Sequence, residues 1–198
     1  MRRSMVSMLV VLGALSTPLA AQTEGESTRS GGSAGAAIGV GFAATVGSGW
    51  QIEGGEIGYV RRRASGVLRA FSIGARIGSY VDEGAIIGGN RGFVFAPTAG
   101  VRSGRLTLAE LGDESNLTQI GFDVTLEATG YLTTNPPPLQ QSTWGAVALL
   151  PGLRVGGGDG PQYGIVIGPT WFLGSKTEVR GLLAFRVEAP LARRERHP

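Results

Sequence analysis

Bulky apolar and small or polar residues alternate along most of this chain, and this period-two pattern constrains the fold more than any motif. Successive side chains of a β-strand point to opposite faces. Between 120 and 132, Ile120, Phe122, Val124, Leu126 and Ala128 share one face, while Gly121, Asp123, Thr125, Glu127, Thr129 and Tyr131 share the other. The same division recurs at 36–46, with Ile38, Val40, Phe42 and Val46 opposite Gly39, Gly41, Ala43 and Thr45. It recurs at 67–81, 163–173 and 179–191, less cleanly at 92–102 and 144–155. At 51–63 the orientation is open, because Glu53 and Glu56 fall on opposite faces. Turn-forming residues separate these segments, among them Gly47-Ser48-Gly49, Asp82-Glu83-Gly84, Gly89-Asn90, Thr134 to Pro138 and Gly156 to Pro161. About eight strands with short connections predict an all-β, antiparallel up-and-down barrel. A turn at Ser103-Gly104 would start an extra strand, with ten strands as the alternative count. Pro151 and Pro169 each remove a ladder donor and predict edges or bulges.

Composition narrows the choice. Glycine supplies 34 of 198 residues, but without a Gly-X-Y period, so collagen is excluded. A hydrophobic share of 42% is too high for a disordered chain. The absence of cysteine excludes disulfides and thiolate metal sites. The length fits one domain. Met1-Arg2-Arg3 precedes an apolar run from Met5 to Leu15, which Pro18 and the small residues Ala20 and Ala21 close. That order predicts a secretory signal peptide cut after Ala20 or Ala21. The predicted organisation is a signal peptide at 1–21, a flexible lead-in at 22–35, a barrel at 36–191 and a charged tail at 192–198. The formal charge of +3 includes Arg2 and Arg3, so without them 16 basic residues face 15 acidic ones. No basic stripe remains to predict nucleic-acid binding.

The small faces carry few charges for surfaces that would meet water. They suit a narrow lumen, with the bulky faces turned toward lipid. A lipid-facing Arg or Lys costs about 2–4 kcal/mol at mid-bilayer, and the bulky faces carry no charge in their middles. Trp50, Tyr80, Phe93, Tyr131, Trp144, Tyr163 and Trp171 stand near segment ends, where interfacial aromatic girdles form. Inside, Arg76, Asp123, Glu127, Arg154, Arg180, Arg186 and Glu188 are expected to form a lumen ion-pair network, since buried charges need partners.

The signal-like start, the lack of cysteine and the alternating strands together resemble small bacterial outer-membrane β-barrels of the OmpA/OmpX type. The resemblance covers Ala36 to about Leu191 and is one of pattern and size. It implies export to the outer membrane, with outer-membrane lipid and the assembly machinery as partners. The implied role is non-catalytic: a structural or adhesive element, or a narrow pore. The alternative is a secreted or periplasmic soluble barrel that binds an apolar ligand, as lipocalins do.

Chemistry is sparse. The one histidine, His197, lies in the tail, so the His-dependent mechanism of barrel lipases is not expected. No cofactor and no metal site is expected. Asp123 and Glu127 lie four residues apart on one strand face, or about 13 Å at ~3.3 Å per residue, too far for a coupled acid/base pair. Gly156 to Gly160 reads as a turn, because no helix start follows it and it does not repeat.

Overall fold

The structure of the protein, a computed structural model, describes residues 34–47, 49–82, 91–112, 117–132, 145–157, 160–174 and 177–191. The expected signal peptide, nearly all of the expected lead-in, the Pro-rich turn expected at 134–138, Trp144, and residues 192–198 with His197 lie outside the described residues.

Among the described residues nine strands follow one another: β1 (Gly35–Val46), β2 (Trp50–Arg62), β3 (Leu68–Asp82), β4 (Arg91–Ser103), β5 (Leu106–Leu111), β6 (Thr118–Gly130), β7 (Gly145–Val155), β8 (Gln162–Leu173) and β9 (Glu178–Pro190). They form one antiparallel sheet in the order β4-β3-β2-β1-β9-β8-β7-β6-β5, and β4–β6 pairing closes it into a barrel. Eight strands make the wall. The alternating sequence explains the closure, since small inward residues allow a tight curve.

The register fixes the geometry. A walk across the ladders from Ala37 passes Val60, Ser72, Gly100, Glu127, Ala148 and Thr170 to Arg180, which is one residue beyond the Gly181↔Val46 pair. One circuit therefore returns to β1 ten residues from its start. Ten residues at ~3.3 Å, set against eight strands at ~4.8 Å, give a tilt of about 40°, within the usual barrel range.

Two expectations need correcting. The extra strand expected after Ser103-Gly104 is present as β5, but Ser103-Gly104 is not a hairpin turn and the alternative count of ten does not hold. β5 runs in the same direction as β4, and both pair with β6, β4 from Thr98↔Thr129 to Arg102↔Thr125 and β5 from Leu106↔Phe122 to Leu111↔Thr118. The two are one kinked stave. At the kink the Ser103 hydroxyl accepts the Val124 N–H at 3.0 Å, and the Gly104 N–H reaches the Val67 carbonyl. A side chain thus replaces the ladder acceptor where the backbone turns aside.

The prolines do not mark sheet edges either. Pro151 and Pro169 lie inside β7 and β8, each paired on its other side. The β7–β8 ladder lapses between Ala148↔Thr170 and Gly152↔Val166, so the break is confined to one stretch of one seam.

Glycine allows the closest approach between β2 and β3. Gly54 and Gly78 face each other across the ladder. A Cβ added to Gly54 would stand 2.5 Å from the Ile77 carbonyl oxygen and 2.9 Å from the Gly78 Cα.

Candidate functional site

The faces resolve as the alternation implies. Ile38, Val40, Phe42, Ile57, Ile73, Phe122, Leu149, Ile165, Ile167 and Phe185 are exposed on the outer wall. Arg76, Asp123, Glu127, Arg154 and Glu188 are each no more than 4% exposed inside it. On β2, Glu56 points inward and Glu53 outward, which settles the orientation left open by the sequence.

The interior charges form two linked sets. In the first, Glu188 accepts from Arg62 at 3.1 Å, from Arg154 at 3.0 Å and from Arg102. Asp123 pairs with Arg154 at 2.6 Å and lies 3.8 Å from Arg102. In the second set, Glu56 and Glu127 lie between Arg76 and Arg186. Arg76 meets Glu56 through Nε at 3.0 Å and Glu127 at 3.0 Å, while Arg186 meets Glu56 at 2.8 Å and Glu127 at 2.7 Å. The square works because these side chains project from β2, β3, β6 and β9 into one lumen. Each guanidinium presents a planar fork of donors that matches a carboxylate.

Of the predicted network residues, Arg76, Asp123, Glu127, Arg154, Arg186 and Glu188 belong to these sets. Arg180 does not join them. It lies near the opposite end, with Glu178 at 2.7 Å, its Nη1 donating to the Trp50 carbonyl at 2.7 Å, and its guanidinium 3.8 Å from the Trp50 ring centroid. The sequence reading missed Glu56, Arg62 and Arg102. Arg102 shares parity with Gly100 on the small face, which was the available signal; Glu56 and Arg62 share one face of β2, whose orientation the sequence leaves open.

Three of the predicted girdle aromatics also face inward. Trp50, Tyr80 and Tyr131 are buried with Ile52, Val94 and Phe172 in a cluster that fills the end of the lumen remote from Gly35 and Pro190. Trp50 meets Phe172 edge-on at 5.1 Å, and Tyr131 stacks on it at 5.7 Å. The physical reason is again parity. Trp50 is an even step from Glu56, Tyr80 from Arg76 and Tyr131 from Glu127. Phe93 and Tyr163 are exposed on the outer wall, and Trp171, half-buried, has outward parity.

No protein-family model matches the chain, and no curated protein matches it.

From one end to the other, the interior is an arginine-lined mouth, two ion-pair sets and an aromatic cluster. An aliphatic cluster of Ala43, Ala148, Leu150, Val166, Leu182 and Ala184 packs beside the second ion-pair set. Among the described residues, two spaces between these groups measure about 70 Å³ each. A few waters fit such a space, whereas a drug-sized ligand needs about 300 Å³ or more.

Proposed function

We propose that this chain is an integral outer-membrane β-barrel of the OmpA/OmpX-like type, with a packed lumen and a membrane-structural or adhesive role rather than a catalytic or conducting one. The observation that carries the reading is the inverted polarity of the barrel. Its outer wall is a belt of exposed Val, Ile, Leu and Phe, while its inside holds buried Arg, Glu and Asp. A water-facing barrel reverses that arrangement. A contiguous apolar surface of this extent is costly in water and matched by acyl chains.

Dimensions support the same reading. Tyr163 and Trp171 lie on the outward parity of β8, eight residues apart. At ~3.3 Å per residue and about 40° of tilt, they stand about 20 Å apart along the axis, near the ~25 Å apolar band of such barrels. The signal-like start supplies the export route that the reading needs. A lipocalin-like role would be favoured by a larger apolar cavity than the two spaces of about 70 Å³ described among the ion pairs.

Fractionation tests the proposal. The protein should stay in membranes after a carbonate wash, and should migrate differently in SDS before and after boiling. Recovery in the soluble fraction, with no boiling shift, would favour the soluble ligand-binding barrel.

A further inference from the structure

Among the described residues, the mouth of the barrel at the end where Gly35 and Pro190 lie gathers more arginines than carboxylates. Five arginines (Arg62, Arg63, Arg69, Arg102 and Arg105) line the space of about 70 Å³ there, with Asp123 as its one carboxylate and Gln119 and Gln162 among its neutral groups. Arg62 and Arg102 are engaged by Glu188, and Asp123 is engaged by Arg154. Among the described residues, the other three meet neutral groups. Arg105 donates to the Gly156 carbonyl at 2.8 Å and to the Gln162 side-chain oxygen at 3.0 Å. Arg69 donates to the Ala64 carbonyl, and Arg63 lies 5.8 Å from the Phe71 ring centroid. Among the described residues, no carboxylate comes within ion-pair distance of Arg63, Arg69 or Arg105.

The arrangement is built by the fold. The kink between β4 and β5 turns Arg105 toward the mouth, and the β2–β3 turn brings Arg63 and Arg69 to the same rim through the Arg63 N–H bond to the Arg69 carbonyl at 2.8 Å. Arg69 and Arg105 are half-buried and Arg63 is exposed; guanidiniums gathered with few carboxylates repel one another, and an oxyanion relieves that repulsion. Asp123 adds a second feature. Among the described residues its Oδ1 is buried and has no hydrogen-bond partner, so it can accept a hydrogen bond from an O–H donor. Its Oδ2 stays on Arg154.

We propose that this mouth is an oxyanion site for a phosphate group. Arg63, Arg69 and Arg105 hold the oxygens, and Asp123 Oδ1 takes the hydrogen bond of an adjacent hydroxyl. The space admits one compact group, not a nucleotide. The phosphate comes from solution or from an anionic lipid headgroup at the rim. The site is made of lumen and rim residues, so it does not rest on the barrel's being in a membrane.

The test uses the refolded full chain in zwitterionic micelles, titrated with inorganic phosphate at constant ionic strength, with chloride as the comparison. A parallel arm measures binding to phosphatidylcholine vesicles with and without phosphatidylglycerol. Saturable binding of phosphate, or of phosphatidylglycerol vesicles over phosphatidylcholine alone, supports the site. The arm that responds identifies the source. Arg105→Gln and Arg69→Gln should each weaken binding by about tenfold or more, the worth of one charge-assisted hydrogen bond. Arg61→Gln, on the exposed outer face, should leave it unchanged. Folding of each variant is checked by its unboiled mobility, and if one fails to fold the other carries the comparison. The proposal is overturned if phosphate behaves as chloride does and phosphatidylglycerol adds nothing. It is equally overturned if Arg61→Gln weakens binding as much as the mouth variants do.

Discussion

Glu188 accepts from three guanidiniums, Arg62, Arg102 and Arg154, and is 4% exposed. Removing one partner of a buried pair leaves the others charged and unanswered, which costs about 3–5 kcal/mol. Glu188→Ala should therefore lower the urea midpoint of the refolded barrel sharply. Glu178→Ala, whose side chain is largely exposed beside Arg180, should change it little. Ser103 offers a finer test. Its hydroxyl is the acceptor for Val124 N–H at the kink, so Ser103→Ala should cost about 1–3 kcal/mol. Amide exchange at Val124 should quicken in that variant while that of the β2–β3 ladder stays unchanged. Parity made most of the interior charges legible. The aromatics at 50, 80 and 131 show where chain position misled. Nearness to a strand end suggested a girdle, yet an even spacing from an inward charge decides which face a side chain takes.

At the scale of elements, the close approach of β2 to β3 is the sharpest constraint. Gly54→Val places a branched side chain against the Ile77 carbonyl and the Gly78 backbone, neither of which is a flexible side-chain end. Overpacking of this kind costs about 1–3 kcal/mol. The expected result is a reduced yield of the heat-modifiable form on refolding. Gly55→Val should be tolerated, because Gly55 is exposed on the opposite face of the same strand. Strand existence and facing were readable because hydrophobic alternation is a local property. The β4–β5 continuity was not, since Ser103-Gly104 carries the chemistry of a turn. Only pairing with β6 reveals that the chain keeps its direction. The prolines at 151 and 169 were misleading for a related reason. A lone proline argues for an edge, but a seam can absorb two when they fall opposite the same short stretch.

For the whole molecule, polarity is the property to challenge. Ile165 is 56% exposed on the outer wall. On the membrane reading, Ile165→Arg should destabilise the barrel in vesicles by about 2–4 kcal/mol. On a water-facing wall the same change should be nearly neutral. Denaturant titration in vesicles separates the two. The aromatic cluster at one end and the ion pairs behind it predict no resolved single-channel conductance in planar bilayers. Stepwise conductance would contradict a packed lumen.

The ladder between β1 and β9 runs without lapse from Ala37↔Pro190 to Val46↔Gly181, and the Leu191 N–H continues it to the Ala36 carbonyl at 2.8 Å. The first and last staves are thus held at least as continuously as β4 and β6, which are successive wall staves. As a ring, the wall has no preferred starting point. A circular permutant that joins Leu191 to Ala34 through a short linker and opens at 112–117 should still close and keep its boiling shift.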